Sequence, residues 1–203
     1  MHTGTRLHPV DDADVGALAE MFARAFFDDP IVRHVLPDES TRERHLVPLY
    51  ALYVRFFRRH GLCHASAACT AAALWAPPGT YPPSLLQHLR LLPGIAHALG
   101  LMRVPRALRV LGHLDRVHPF ARPHWYLGLL GVEPALQRRG MGHALLAPVL
   151  AVCDCDRLGV YLETGNEANL AFYARDGFTV LHEHRLLDGP RFWGLWREPS
   201  QDS

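Results

Sequence analysis

The sequence lacks both a long apolar segment and a strong charge imbalance. Its longest apolar run, at 144–153, is interrupted by Pro148, whereas a membrane-spanning helix needs roughly 20 apolar residues. Lysine and arginine together number 21 against 20 aspartates and glutamates, a formal net charge of +1. This balance gives no overall attraction to nucleic acid or to an anionic membrane. We therefore expect neither partner, and any charged ligand has to be held by a local patch.

The first residues also lack the apolar core of a secretory signal. The four cysteines are too few for the disulfide framework of a small secreted protein, so reduced thiols and a cytoplasmic location are expected. Hydrophobic residues make up 49% of the chain and charged residues 20%, as in an ordinary globular protein. The length of 203 residues predicts a single domain, 1–203.

The first half of the sequence predicts mainly helices. Apolar residues recur at helical spacing from about Asp12 to the Asp28-Asp29-Pro30 stop, and again from Glu39 or Ser40 to about Arg59. Short strands are expected at 62–65 and 70–75, although alanine is a poor strand former. A leucine- and arginine-rich stretch, 84–116, predicts a helical insertion broken at Pro93-Gly94 and Pro105.

The second half alternates between strand and helix patterns. The predicted elements are strand 125–132, helix 140–157, strand 160–163, helix 166–175 and the strand pair 179–187 and 191–197. This alternation indicates an α/β fold with a mixed central sheet, partly parallel and flanked by helices. The helical insertion precedes the central strand, 125–132.

The arginines of the insertion allow three interpretations. They are Arg90, Arg103, Arg106, Arg109 and Arg116, with Asp115 as the only acid among them. The stretch could be a basic amphipathic surface for a partner or a membrane. It could instead be a plain helical insertion that packs its leucines on the sheet. A third hypothesis is that it forms a wall of a ligand pocket, as insertions often do.

One glycine-containing segment predicts a phosphate-binding loop. It reads GVEPALQRRGMGHALL, residues 131–146, in which a strand ends and a helix begins near Gly140. Glycines let the backbone approach a ligand closely, and the first turn of a helix has unpaired N–H groups at a positive dipole end. Together they form a cradle for a pyrophosphate, with Arg138 and Arg139 adding charge at its rim.

This segment has three alternative interpretations. They are a Rossmann loop, a Walker loop and a loop that binds no ligand. A Rossmann loop requires glycine or alanine where Leu145 stands, and its glycines belong in the tight turn directly after the strand. A Walker loop requires Gly-Lys-Ser/Thr, which the segment does not contain. The segment could also join a strand to a helix without binding any ligand.

A second motif follows the next predicted strand and reads NEANLAFYARDGF, 166–178. With the Q-x-x-G-x-G loop before it, this motif resembles the acetyl-coenzyme A site of the GNAT N-acetyltransferase superfamily. Within that superfamily the chain is similar to the puromycin N-acetyltransferase branch, through WYLGLLGVEP, YLET, NLAFYARDGFTV and GPRFW. The resemblance covers 125–197 and extends loosely to 11–34 and 74–79. It implies the GNAT acyl-CoA N-acyltransferase fold.

The resemblance implies a specific placement of acetyl-CoA. The pantetheine arm inserts like an extra strand beside the central strand, where the backbone of Leu130, Gly131 and Val132 binds it and polarises the acetyl carbonyl. The pyrophosphate is held by backbone N–H groups of a run that comprises Gln137, Arg138, Arg139, Gly140, Met141, Gly142, His143 and Ala144. Asn166 or Asn169 bonds the pantetheine or phosphate arm, and the sequence leaves open which of them does.

Two residues are candidates for the chemistry. The resemblance implies that Tyr173 is the general acid that protonates the departing thiolate, and a phenol with a reference pKa near 10 stays protonated at pH 7. The alternative is a core aromatic that packs one face of its helix. Glu163 ends a strand beside the expected gap and is the candidate base for the amine. It could also orient the substrate or simply be solvated.

Other chemistry-bearing residues favour no separate site. Cys153 and Cys155 lie two apart on a predicted helix and face different directions, so neither metal ligation nor nucleophilic catalysis is expected of them. His182 and His184 share one face of a predicted strand and could ligate zinc, but a pair of exposed histidines is the simpler interpretation. We therefore expect no metal.

The sequence thus predicts acetyl transfer from acetyl-CoA to a primary amine of a small molecule by direct attack. By resemblance alone, the acceptor is expected to be an amine antibiotic. A protein N-terminal or lysine acetyltransferase is the alternative within this class, and a non-catalytic acyl-CoA sensor is the alternative outside it. A monomer or a homodimer is expected.

Overall fold

The computed structural model describes residues 6–81 and 85–200, and its strands form one seven-stranded mixed sheet. In chain order they are β1 (Leu7–Pro9), β2 (Leu62–Ser66), β3 (Ala71–Ala76), β4 (His124–Val132), β5 (Gly159–Thr164), β6 (Thr179–Arg185) and β7 (Arg191–Arg197). Their order across the sheet is β1-β2-β3-β4-β5-β7-β6. Strands β4 and β5 are parallel, and the other neighbouring strands are antiparallel. The predicted mixed α/β fold is confirmed.

Helices cover both faces of this sheet. Within the described ranges the α-helices are α1 (Asp14–Ala25), α2 (Pro30–Val35), α3 (Glu39–His60), α4 (Leu85–Leu99), α5 (Val104–Val117), α6 (Met141–Cys155) and α7 (Leu170–Ala174). No helix in these ranges combines the length and the apolar character that crossing a bilayer requires.

Strand β3 shows how the two faces are filled. Its sequence AAALWA is buried throughout. Alternate residues point to opposite sides, so Ala72 and Leu74 join the core under α1 and α3, whereas Ala73 and Trp75 join the core under α6. A strand buried on both faces is a continuous apolar run, and small alanines leave room for helices on each side. The burial of its side chains on both faces, rather than the strand propensity of alanine, therefore explains why β3 is a strand.

The helical insertion differs in detail from its prediction. The predicted break at Pro93-Gly94 is wrong, because both residues lie inside α4, where Gly94 faces the Leu52 side chain. The chain turns instead at Gly100, whose φ of +75° is a backbone conformation that favours glycine. Pro105 stands in the first turn of α5, where a missing N–H costs no hydrogen bond. The predicted first residue, Ser84, lies outside the described residues.

The N-terminal region contains a helix that the sequence did not predict. Helix α1 ends at Ala25, before the predicted stop, and α2 follows. The Asp29 carboxylate caps α2 by accepting hydrogen bonds from the N–H groups of Ile31 and Val32. A helix of six residues is too short to show a periodic apolar pattern.

Candidate active site

A gap opens between the two parallel strands at the centre of the sheet. The pairing of β4 with β5 begins where His124 lies opposite Gly159. It ends where Leu127 lies opposite Leu162. Beyond that point β4 continues to Val132 and β5 to Thr164 without pairing to each other. Ligands in α/β sheets bind at the carboxyl ends of parallel strands, which is where this gap lies.

A bulge in β4 lies at the start of the gap. On the β3 side, Trp75 pairs with Leu127 and Leu74 with Leu129, so Gly128 is the extra residue of a β-bulge. A bulge bends its strand and increases the local twist. A Cβ atom on Gly128 would lie 2.1 Å from Cζ of Phe57, so α3 packs directly on the bulge. The bulge therefore coincides with the point at which β4 and β5 stop pairing.

The loop after β4 ends at the N-terminus of α6. Gly140 is the N-cap residue, with φ of +83° and no side-chain cap, and Arg138 is also left-handed at +61°. The N–H groups of the first turn of α6 have no preceding carbonyl within the helix to bond. Residues 137–140 lie at the surface. The backbone N–H groups of this loop could therefore bind an anionic group.

The second glycine of the loop serves packing. A Cβ atom on Gly142 would lie 2.8 Å from Cζ of Phe172, which belongs to α7. The His143 ring lies on the same phenylalanine at 4.5 Å, and its Nδ1 is 2.6 Å from the Asp176 carboxylate. The first turn of α6 is thus fixed against the segment that carries the second motif.

The structure separates the two asparagines that the sequence left as alternatives. Asn166 is exposed, and its side-chain oxygen caps the following 3₁₀ turn by accepting the N–H of Ala168. Asn169 donates from Nδ2 to the Thr164 hydroxyl at 3.1 Å and lines the central cavity. Only Asn169 therefore faces the space beside the gap.

Tyr173 lies on α7 and faces the same cavity. Its ring is 7% exposed and makes edge-on contacts with Phe172 and Phe178 at 4.9 and 5.6 Å. Burial, and secondarily the negative charge of Asp176, raises the pKa of Tyr173, so the hydroxyl stays protonated at neutral pH. Both the acid and the packing interpretation of this residue are compatible with this position.

Glu163 lies on β5, one residue past the last pairing with β4. Its side chain is only 6% exposed although the residue as a whole is half-buried, so the exposed part is backbone in the gap. One carboxylate oxygen is 3.4 Å from Nδ1 of His118, and the other is buried without a hydrogen-bond partner among the described residues. A solvated surface carboxylate is therefore the wrong interpretation of Glu163.

Three tyrosine rings surround this carboxylate and its histidine. The ring of His118 lies 5.1, 4.9 and 4.7 Å from those of Tyr81, Tyr126 and Tyr161. Burial raises the pKa of each tyrosine, and the negative charge of Glu163 raises it further. All three phenols consequently stay neutral.

Two histidines continue from Glu163 into the protein. Burial lowers the pKa of His124, which is therefore neutral, and its Nδ1 must carry the proton because it faces the carbonyl oxygen of Arg122. Nε2 of His124 then accepts a hydrogen bond. Its donor is Nε2 of His118, and the two nitrogen atoms are 2.9 Å apart. Nδ1 of His118 faces Glu163, so the carboxylate and the two histidines form one chain of polar contacts.

A cavity of about 460 Å³ extends from the gap towards the helical insertion. Aromatic rings and leucines form most of its walls. They come from α3 (Tyr50, Tyr53, Phe56 and Phe57) and from the insertion (Leu91, Ile95, Leu111 and Leu114). Asp29, Asp115 and Glu163 are its acidic residues, and none of its described lining residues is lysine or arginine. The insertion therefore lines this cavity, which is the geometry that the third interpretation requires.

The cysteines and one possible metal cluster lie apart from the gap. Cys153 is buried and Cys155 exposed, as their spacing predicted, and burial raises the pKa of the Cys153 thiol to about 12. His8, Asp14 and Cys69 come close enough to share an ion. They hydrogen-bond one another instead, with Asp14 accepting from Cys69 and contacting His8.

Comparison with known proteins agrees with this geometry. The acetyltransferase (GNAT) family model matches residues 98–178, which contain β4, the loop, α6, β5 and α7. An uncharacterized N-acetyltransferase of Schizosaccharomyces pombe is 25% identical over 190 residues, which cover 83% of this chain and 72% of that protein.

Two solved structures share the fold. One, described as histone acetyltransferase HPA2 and related acetyltransferase from Corynebacterium glutamicum, is 22% identical, with a TM-score of 0.70 and 97% of both chains covered. The other is arylalkylamine N-acetyltransferase 2 from Aedes aegypti, which is 10% identical, with a TM-score of 0.71 over 96% of this chain and 99% of that one.

The fold, the paired motifs and these matches support an acyltransferase of the GNAT type. Residues 98–178, which carry both motifs, match the family model of the superfamily that the motifs predicted. Acetyltransferases of this family take the acetyl group from acetyl-CoA and pass it to an acceptor.

Sequence reasoning missed His118, His124 and the acids Asp29 and Asp115. The histidines are two among 14 in the chain, and no spacing marks them. His118 follows α5 directly and His124 begins β4, so the link between the insertion and the central strand brings them to Glu163. Asp29 had a detectable signal, since an aspartate before a proline often caps a helix.

Proposed function

We propose that this chain transfers the acetyl group of acetyl-CoA to the primary amine of a small molecule that has an apolar body. The observation that carries this proposal is the cavity of about 460 Å³, which has aromatic and leucine walls and meets Glu163 and Tyr173 beside the gap. Small-molecule sites typically measure about 300–1,000 Å³ and combine apolar walls with a few polar groups.

The gap and the loop support a placement for the coenzyme. The pantetheine arm lies along residues 130–132 of β4, and the pyrophosphate binds the N–H groups of 137–144. The carbonyl oxygen of Val132 already accepts a hydrogen bond from the Gln137 side chain at 3.1 Å. Gly131 lies opposite Ala72 of β3, in step with the Glu133 N–H that bonds Thr70, so the free backbone groups on the gap side are those of Leu130 and the N–H of Val132. Asn169, which faces the cavity, is the better candidate for the coenzyme arm than Asn166.

The reaction we propose is a direct transfer. The amine nitrogen gives a proton to Glu163 and His118, and attacks the acetyl carbonyl carbon. As the carbon–sulfur bond breaks, the thiolate takes a proton from Tyr173, and the nitrogen loses its second proton, which restores the Tyr173 hydroxyl through solvent. The buried thiols argue against an acetyl-cysteine intermediate, because burial raises the pKa of Cys63 and of Cys153 to about 12. A trapped acetyl-enzyme would contradict direct transfer.

The charge of the cavity indicates the class of acceptor. Three carboxylates and several aromatic faces attract an ammonium group, whereas a carboxylate-bearing acceptor meets no cation among the described lining residues. An amine joined to an aromatic or nucleoside body fits these walls. The fold is shared with a protein named arylalkylamine N-acetyltransferase, and the sequence resembles the puromycin N-acetyltransferase branch. We therefore place arylalkylamines and aminonucleoside antibiotics first among the acceptors, with 1–203 acting as one domain.

An amine panel tests the proposal. We expect thiol release from acetyl-CoA with phenethylamine and with puromycin, and weaker release with spermidine and with a peptide bearing a free N-terminus. Leu111→Ala, which opens the insertion wall, should change the ranking of the amines and spare the affinity for coenzyme A. Transfer to the peptide alone would refute the small-molecule proposal. Binding of coenzyme A without transfer to any amine would favour the sensor alternative.

Replacing Gly140 by valine tests the phosphate loop. The left-handed conformation costs a residue with a Cβ atom about 1–2 kcal/mol, and a β-branched residue more, so the loop should rearrange and coenzyme A should bind about tenfold more weakly. Isothermal titration with coenzyme A measures the effect. Gly16→Val is the matched control, because Gly16 is exposed on α1 with nothing within 4 Å of the added Cβ atom. Equal affinities in the two variants would contradict the loop's role.

A further inference from the structure

Helix α5 has two functional faces, of which the acceptor cavity uses one. Its apolar face lines that cavity with Ala107, Val110, Leu111 and Leu114. Its other face carries basic side chains at helical spacing, namely Arg106, Arg109, His113 and Arg116. A solvated basic stripe is common on amphipathic helices, and these arginine side chains are exposed, but they border one concave surface.

The basic face of α5 forms one wall of a second cavity, of about 510 Å³, here called the arginine cleft. Helix α2 supplies another wall with Arg33 and His34. The turn between β6 and β7 closes the third side with Leu187 and Asp188. The volume is that of a small-molecule site rather than of a surface groove for a macromolecule.

The charges of the arginine cleft are unbalanced. Four arginines face one aspartate, so its formal charge is +3 with both histidines neutral, whereas the whole chain carries +1. Several arginines elsewhere in the chain are paired, as Arg197 is with Asp154 at 2.7 Å and Arg24 with Glu133 at 3.0 Å. None of the cleft arginines has a carboxylate within 4.0 Å among the described residues. Because these arginines are exposed, water and salt screen part of their mutual repulsion, and a bound anion would reduce it further.

Specific contacts hold the walls of the cleft in place. Arg106 donates from Nη1 to the backbone carbonyl of His34 at 3.1 Å, which ties α5 to α2. The His34 ring packs against Gly189, where an added Cβ atom would lie 3.1 Å from Cε1, and this ties α2 to the β6–β7 turn. Burial lowers the pKa of His34 and of His113, and the neighbouring arginines lower each further. The cleft is thus a fixed region of positive potential.

A packed wall separates the arginine cleft from the acceptor cavity. Val110, Leu186 and Phe192 form a buried cluster, which Ile31 and Val35 extend. Val110 lines both cavities, and the arginine side chains lie on the cleft side only. The cleft is therefore a site of its own rather than the mouth of the acceptor cavity.

We propose that the arginine cleft binds a small polyanion that carries two or more phosphate or carboxylate groups, as a second ligand of this acetyltransferase. The planar guanidinium fork donates two parallel hydrogen bonds to either group, and four forks around one cavity exceed what a single monoanion can use. The proposal does not depend on the identity of the amine acceptor.

Isothermal titration with inorganic pyrophosphate and, separately, with citrate tests the site. Saturating coenzyme A occupies the phosphate loop during both titrations. We expect one binding event, with an affinity that falls as sodium chloride is raised. Stronger binding of pyrophosphate identifies phosphate as the recognised group, and stronger binding of citrate identifies carboxylate. In parallel, the ring resonances of His34 and His113 should shift on addition of the anion, which locates it.

Charge-reversal variants provide the control. Arg109→Glu and Arg116→Glu should each weaken the binding about tenfold or more, because each removes a charge-assisted contact and adds a repulsive charge. Arg90→Glu makes the same charge change on α4, outside the cleft, and should retain the affinity. Absence of heat with both anions, or equal losses in the Arg90 and Arg109 variants, would overturn the proposal. Retained coenzyme A binding in that case would leave the acetyltransferase assignment intact.

Discussion

Replacing Tyr173 by phenylalanine should lower kcat by about 10²- to 10⁴-fold, the usual contribution of a general acid. The variant keeps the ring that contacts Phe172 and Phe178, and removes only the hydroxyl that faces the cavity. Without that proton donor the coenzyme leaves as a free thiolate, which is a poorer leaving group. Steady-state thiol release with the best amine of the panel measures the loss.

Two further measurements separate the acid role of Tyr173 from a packing role. The hydroxyl has no hydrogen-bond partner among the described residues, so the melting temperature should stay near that of the parent protein. The dissociation constant for coenzyme A should also be unchanged, because the proposed pyrophosphate contacts lie on residues 137–144 and not on α7. An unaltered kcat would refute the acid role, and parallel losses of turnover and stability would assign Tyr173 to the core.

Replacing Glu163 by glutamine should lower kcat/KM at pH 7 by about 10²- to 10⁴-fold, since the amide cannot take the proton of the ammonium. The size of the side chain is conserved, so the rings of Tyr126 and Tyr161 around it stay packed. The loss should shrink as the pH rises, because a growing fraction of the amine, with a pKa near 10, arrives already deprotonated. A pH profile of both proteins measures this convergence.

The histidine beside Glu163 provides the matched comparison. His118→Asn removes the imidazole that faces the carboxylate at 3.4 Å but leaves the carboxylate in place. It should therefore lower kcat/KM by less than Glu163→Gln does. A loss in the Glu163 variant that appears only in KM and does not vary with pH would mean that the carboxylate orients the amine and does not accept its proton.

The amino-acid pattern was sufficient to predict the elements of the second half of the fold. Gly140 and Gly142 mark the loop because only glycine fits a left-handed N-cap and a Cβ-free contact with Phe172. These requirements are local, set by backbone geometry within a few residues or by one neighbouring turn. The order of strand, loop, helix, strand and FY motif therefore identified the superfamily before any contact was known.

The acceptor side depends on contacts between distant segments. Glu163 was a candidate from its place on a strand, but His118 meets it only because the insertion ends over β5, with the two residues far apart in sequence. The spacing of arginines on α5 likewise predicts an amphipathic helix. It does not predict that α2 and the β6–β7 turn close around its basic face.

The sequence by itself predicted the mixed sheet and the glycine-containing loop at the start of a helix, since strand periodicity and short-range backbone geometry encode both, and its two motifs carried the resemblance to the superfamily. Only the tertiary structure decided that Asn169 rather than Asn166 faces the cavity, that Glu163 is buried against a histidine, and that unpaired arginines surround a second cleft. The physical reason is the same in each case. Burial, proton sharing and charge compensation depend on which side chains meet in space, and no local pattern specifies those encounters.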